Sequence, residues 1–316
     1  MTSEKPIDIR IKQLSYSALL TLHTCPRKFQ LNRLGSRGDE TGDAMGALTF
    51  AFGHSVGEGI QFLMEGMSLE DTVFKMFLNW EVDLLEFNPK QKKSFWLAVN
   101  AVRQFEHIYK CDVGRLAGYK LMYLDEERTM PAVELGFAVE FPDGFLYRGK
   151  LDAALMHEDT GEVLVLESKT DSGNSGNPTK YKNSAQAIGY SVVLDVLVPE
   201  LSSYKVLYMS YMTKLMEWEQ YEFTKSLYER ALWIQETLLD VEMLRLYERA
   251  EVYPKHGENC FDWHRDCEYL STCTLSTRNL MVQLTDEIVE NVHKKNEEYL
   301  IKLDWKDLLT SQYERG

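Results

Sequence analysis

Long apolar runs are missing from this chain: nothing approaches the roughly 18 consecutive apolar residues that a membrane-spanning helix needs. The first residues, MTSEKPIDIRIK, are charged and lack the apolar stretch of a secretory signal. An intracellular protein is expected, in the cytoplasm of a bacterium or of a phage-infected host, with no membrane partner. An excess of positive charge is missing as well. With 35 Lys and Arg against 49 Asp and Glu the net charge is −14, which excludes a non-specific nucleic-acid coat protein, whose phosphate-binding surface is basic. An enzyme acting on DNA stays open, because it needs only a local basic channel around an acidic metal site. No Gly-x-x-x-x-Gly-Lys-Ser/Thr occurs, so the chain has no P-loop motor and any unwinding falls to a separate helicase. Internal repeats and low-complexity tracts are lacking too. Cysteine is sparse, with five residues at 25, 111, 260, 267 and 273. Inside a cell these are poor disulfide material, so metal or cluster ligation is tested first.

What is there is ordinary globular material: 316 residues, 44% apolar and 27% charged, enough for one elaborated domain or two small ones. Residues 14–34 predict a capped helix, a break at Cys25-Pro26 and a second helix, with Ser15 or Ser17 as the cap and Pro26 in the following first turn. A polar glycine-rich loop follows (35–46). From Ala47 to about Tyr123 the apolar residues recur at helical spacing. Three strand-like runs come next, VELGFAVEF, GFLYRGKLDAALMHE and EVLVLESKT, broken by PDG and EDTG turns. After a Gly/Asn/Ser-rich loop (171–179), SAQAIGYSVVLDVLV predicts helix, SYKVLYMSYMTK and EWEQYEFT predict strands, and a long helix runs from Lys225 to about Glu251. A cysteine segment and a charged helical tail from about Leu284 complete the order. The expected organisation is a helical arm (1–130) carrying Cys25 and His54, a strand–helix–strand core (131–225), and C-terminal helices with the cysteine segment (226–316), integrated as one α/β domain.

The strand EVLVLESKT is apolar until it ends in Glu167-Ser168-Lys169. Side chains alternate across a strand, so Glu167 and Lys169 share a face. If EDTG is a four-residue turn, His157 pairs with Glu162, and the same register sets Asp152 opposite Glu167, about 5 Å away on that face. A Glu-x-Lys alone is commonly a surface ion pair; a second carboxylate facing it is not. Two carboxylates this close repel unless a cation neutralises them, and a hard divalent ion with oxygen ligands does so. Such an ion lowers the pKa of bound water and offsets charge on a phosphoryl group, and a lysine can orient that water.

With these residues in place, the sequence resembles the PD-(D/E)XK nuclease superfamily, in particular its RecB-like branch. The matching segments are Gly149-Lys150-Leu151-Asp152 and Leu166-Glu167-Ser168-Lys169, together with an upstream histidine in Phe52-Gly53-His54-Ser55-Val56-Gly57-Glu58 and a downstream Gln186-Ala187-Ile188-Gly189-Tyr190. The separation of His54 from Asp152 is loose for the family and fits a helical insertion. The resemblance implies a restriction-endonuclease-like fold: a mixed central sheet flanked by helices, with a helical N-terminal arm and a helical C-terminal segment. It implies one or two Mg²⁺ or Mn²⁺ ions held by His54, Asp152 and Glu167, Lys169 on the attacking water, and Gln186 and Tyr190 completing the site on one helix face.

One N-terminal cysteine and three near the C-terminus, Cys25 with Cys260, Cys267 and Cys273, resemble the iron–sulfur staple of AddB-type nucleases and of CRISPR-associated adaptation nucleases. That resemblance implies a [4Fe–4S] cluster; four thiolates also suit zinc. Cys111 is left unpaired. Arg27, Lys28, Arg33 and Arg37 form a basic stretch beside Cys25, and Arg148, Lys150, Lys180 and Lys182 flank the acidic residues; Arg27, Lys28, Arg148 and Lys182 are the expected DNA contacts. The expectation is a metal-dependent DNA nuclease, an exonuclease of phage or bacterial type, acting on single-stranded or end-containing DNA. The alternative is a catalytically silent DNA-binding or scaffold subunit of a recombination, repair or CRISPR-like adaptation complex.

Overall fold

Serines set where several of the helices begin. In the computed structural model, which describes residues 11–33, 44–80, 93–173, 178–262, 265–274 and 301–308, Ser15 accepts from the Ala18 N–H at the head of α1 (Tyr16–Thr24). Ser68 and Ser94 do the same for α4 (Leu69–Asn79) and α5 (Phe95–Lys110), satisfying N–H groups that the first helical turn leaves unpaired. Between them lie α2 (Pro26–Arg33), entered through Pro26, and α3 (Ala44–Met64). No described helix is long and apolar enough to cross a membrane.

The strands are β1 (Gln13–Ser15), β2 (Tyr119–Leu121), β3 (Val133–Phe141), β4 (Phe145–His157) and β5 (Val163–Asp171), followed by the short helices α6 (Pro178–Lys182), α7 (Ala185–Gly189) and α8 (Ser191–Leu197). Then come β6 (Ser203–Met212), β7 (Glu217–Ser226), α9 (Leu227–Ala250), the two-residue pair β8 (Phe261–Asp262) and β9 (Arg265–Asp266), and β10 (Ile301–Asp304). The main sheet has the order β10-β3-β4-β5-β6-β7, with β1 and β2 also paired to β4. It is mixed: β4 and β5 are antiparallel, β5 and β6 parallel, β6 and β7 antiparallel. The parallel β5–β6 pair needs a crossover, and α6 to α8 supply it.

The chain forms two compact units. One comprises the described residues of Met1–Gly42, Ala138–Gly149 and Leu232–Leu308; the other, those of Asp43–Phe137 and Lys150–Ala231. In the second unit, Phe52, Val56 and Ile60 of α3 and Val102 and Phe105 of α5 are buried in one core with Leu164 and Leu166 of β5 and Met209 of β6. In the first, Tyr147 meets Trp233 edge-on at 5.0 Å between ring centroids, and Glu248 of α9 accepts from the Ile11 N–H at 2.8 Å.

The three strand runs of the middle segment, the β6–β7 pair and the long α9 lie where the sequence places them. Four expectations are corrected. Residues 119–121, within the stretch expected to be helical, form β2. Residues 13–15 form β1. The helix expected over SAQAIGYSVVLDVLV is two, broken at Tyr190. The tail expected to be helical contains β10. Most of the glycine-rich loop, Arg37, and residues 284–300 of the tail lie outside the described residues.

Candidate functional site

The β4–β5 hairpin positions the acidic residues. His157 N–H donates to the Glu162 carbonyl at 2.9 Å, and Met156–Val163 through Ala153–Leu166 follow in the register expected from the EDTG turn. Backbone pairing ends at Ala153–Leu166, and the same register puts Asp152 beside Glu167. There the Asp152 carboxylate takes over from the ladder, its Oδ2 accepting from the Ser168 N–H at 2.8 Å and the Ser168 hydroxyl at 3.0 Å. Leu164 and Leu166 turn toward the helical core, so Glu167 and Lys169 turn to the opposite face.

Glu167 is 0% exposed. Its Oε1 accepts from the Lys169 ammonium and its Oε2 from the Tyr190 hydroxyl. Burial, then the neighbouring Asp152 charge, push the Glu167 carboxyl up to about 8, against the pull of Lys169 and Tyr190. Burial works against the Lys169 ammonium, yet Glu167 and Asp152 hold its pKa above the ordinary lysine value. Burial, with Glu167 and Asp152, pushes the Tyr190 phenol well up. The arrangement is therefore two coupled carboxylates, one cation and one phenol donor on a strand end, and the break between α7 and α8 falls at the residue that reaches Glu167.

Gln186, four residues before Tyr190 on α7, is partly exposed. His54 lies on α3, which passes the end of β5 closely enough that a Cβ at Gly53 would stand 3.4 Å from Thr170 Oγ1. The imidazole is 55% exposed and turned to Glu58 Oε1 at 3.4 Å; it does not contact Asp152 or Glu167. A further acidic residue, Glu134, lies within electrostatic reach of both His54 and Asp152, and no sequence pattern singles it out. Glu134 adopts φ +50°, pairs with Lys150, and has its pKa raised by burial and by Asp152. A carboxylate joins this neighbourhood because β3 is brought alongside β4, which only a known strand order could have foreseen.

Cys25, Cys260, Cys267 and Cys273 line one cavity, together with Lys28, Lys255 and His256. The Cys260 thiol is pushed up by burial and by its three neighbouring thiols, the mutual repulsion of potential thiolates that a soft cation relieves. Among the described residues no three His, Cys, Asp or Glu side chains stand ready-arranged around a metal position. Hydrogen bonds already join the two chain segments here: Arg27 N–H to the Pro254 carbonyl at 3.0 Å, Arg27 Nε to the Cys273 carbonyl at 3.1 Å, and Asn259 to the Thr24 carbonyl at 2.6 Å. Cys111 caps α5 in the other unit.

Two of the expected DNA contacts already have protein partners here. Arg27 is 6% exposed, and its guanidinium holds Gln30 and the Cys273 carbonyl rather than a phosphate. Lys28 pairs with Glu268 at 3.2 Å on the wall of the cysteine cavity. Arg148 is half-buried on β4 opposite Ser15, and Lys182 is exposed at the end of α6.

A comparison with curated proteins finds no match. Among solved structures, one titled "Crystal structure of SSO0001" is similar at 11% identity and a TM-score of 0.34, over 84% of this chain and 87% of that one. A family model described as the PD-(D/E)XK nuclease superfamily matches residues 13–274, a span that takes in the β4–β5 hairpin, the α7–α8 break and the cysteine cavity. The mixed sheet with its flanking helices is thus a restriction-endonuclease-like α/β core, and the chain belongs to the PD-(D/E)XK nucleases, which generally use Mg²⁺ or Mn²⁺.

Proposed function

We propose that this protein is a metal-dependent DNA exonuclease of RecB-like type, with its chemistry at the Asp152–Glu167–Lys169 strand end. The observation that carries the reading is the Asp152 and Glu167 pair on adjacent strands with the Lys169 ammonium on the Glu167 carboxylate. Asp152, Glu167 and His54 are the proposed ligands. A divalent ion bound there would supply the Lewis acid that neutralises charge developing on the phosphate and makes water more acidic.

The chain's own residues do the positioning. Asp152 is fixed by Ser168, so its free Oδ1 keeps one orientation. Tyr190 fixes Glu167 from the helix side, where burial excludes competing water. Lys169, 34% exposed at its side chain, is the group able to hold a water or a phosphate oxygen at the solvent side while staying cationic. Gln186 lies on the same crossover and completes the proposed site. The four-cysteine cavity is proposed as the seat of a [4Fe–4S] cluster, supported by four thiols sharing one wall and by their repulsion. Duplex unwinding, where needed, is left to a separate helicase.

The test is cleavage of end-labelled single- and double-stranded DNA with Mg²⁺, Mn²⁺ or EDTA. Asp152→Ala and Glu167→Ala should lose cleavage by at least about 100-fold while remaining folded, since each removes a ligand and transition-state charge stabilisation. Lys169→Ala should be similarly impaired yet still bind Mn²⁺. Cleavage that survives EDTA, or full activity in either carboxylate variant, overturns the reading.

A further inference from the structure

The N-terminal half of α3 carries a large aromatic side chain that the fold does not bury. Phe50 is 72% exposed, and its ring lies nearly parallel to the His54 imidazole, at 8° and 6.1 Å between centroids. Other aromatics are exposed on α4 and α5, but among the described residues Phe50 is the exposed aromatic that stacks on a proposed ligand. Lys93 Nζ donates to Oγ1 of Thr49, the residue before Phe50, at 3.3 Å. Burial lowers the Lys93 pKa, while Asp171 at the end of β5 opposes the shift. Since α3 also passes against Thr170, the Lys93 ammonium and the stretch of α3 that carries Phe50 both lie near the end of β5, just beyond Lys169.

We propose that Phe50 and Lys93 form a stacking shelf that delivers single-stranded DNA to this strand end. The proposal rests on the nuclease reading above and adds the form of the substrate. A flat exposed ring offers a face to an unpaired base of any sequence, and a neighbouring lysine takes the adjoining phosphate. Duplex DNA keeps its base faces inside the stack, so the same ring offers it little. With a net charge of −14 the molecule as a whole does not attract DNA, so the strand has to be held by local contacts, and base stacking is one that net charge does not oppose.

Binding is measured on the full chain in EDTA, so that no cleavage intervenes and the proposed metal ligands carry no ion. The probes are fluorescein-labelled oligo-dT and a blunt duplex of equal length. Phe50→Ala should weaken oligo-dT binding roughly tenfold and leave duplex binding unchanged, with Phe50→Trp restoring it. Phe50→Leu, which keeps apolar volume without a flat face, should weaken it too and covers the case in which the alanine variant misfolds. Lys93→Ala should reduce the salt slope of oligo-dT binding by about 0.7. Parent-like oligo-dT affinity in Phe50→Ala, an equal loss on both DNAs, or a parent that binds neither, overturns the shelf. The two readings fail separately. A parent that needs Phe50 to bind but never cuts with Mg²⁺ or Mn²⁺ sinks the nuclease reading alone, and a parent that cuts while Phe50→Ala binds normally sinks the shelf alone.

Discussion

At the scale of single residues, the site is built from a conflict that folding tolerates. Glu167 is the most demanding side chain in it: buried, beside a second carboxylate, and held by only two donors. Its protonated form is favoured by the fold, with the carboxyl raised from 4.5 to about 8. Between those values the metal-free folded state binds the proton that the unfolded chain releases, so stability must fall as pH rises, by at most about 1.4 kcal/mol per pH unit. The contribution is complete below pH 4.5 and lost once pH passes about 8. Melting followed from pH 5 to 9 in EDTA should therefore decline more steeply for the parent than for Glu167→Gln, which cannot ionise. Identical pH profiles would mean that the Lys169 ammonium already compensates the charge in full. Asp152, Glu167 and Lys169 were legible in the sequence because strand periodicity and one four-residue turn suffice to bring them together. Glu134 was not, since its place depends on β3 lying beside β4 and on a left-handed backbone conformation that nothing in Val-Glu-Leu announces.

At the scale of elements, what the sequence predicted well were the long ones. β3 to β7 and α9 each carry enough apolar or capping signal to specify themselves, whereas β1 and β2 are three residues each and exist because β4 offers them hydrogen-bonding partners. The break at Tyr190 is similar: Gln-x-x-x-Tyr has helical spacing, and the tertiary bond to Glu167 falls where two short helices meet. Helix α3 shows how fine the packing is where helices cross. A Cβ at Gly59 would lie 2.5 Å from Val102 of α5 and 2.8 Å from the Met76 sulfur of α4, while one at Gly57, half a turn away, would meet nothing within 4 Å. Gly59→Ala should cost about 1–3 kcal/mol by forcing the helices apart. Gly57→Ala should gain roughly 0.5–1 kcal/mol from helix propensity. Urea midpoints of the two variants, compared with the parent, should move in opposite directions, and a shared direction would show that α3 is not wedged against its neighbours at Gly59.

At the scale of the whole molecule, one of the two compact units is assembled from stretches far apart in the chain, which the sequence could suggest only through its cysteines. Cys25 stands at the junction of α1 and α2, and its three companions lie beyond the end of α9. Closing so long a loop costs entropy that grows only slowly with its length, and direct bonds from Arg27 and Asn259 offset part of it. A metal or cluster bound by the four thiols would offset the rest, since it binds the folded arrangement and not the open chain. Anaerobically purified protein should then be brown, absorb near about 400 nm and carry roughly four irons per chain; zinc without iron would replace the cluster by a four-thiolate zinc site. Cys25→Ala and Cys267→Ala should melt several degrees below Cys111→Ala, whose residue sits at the C-terminal end of α5 in the other unit, away from the cysteine cavity. Cleavage by the two staple variants should fall in step with the folded fraction, because none of these thiols belongs to the strand end that bears Asp152 and Glu167. If the staple variants melt with the parent while Cys111→Ala is the weakest of the three, hydrogen bonds alone join the two segments and the cavity holds no structural ion.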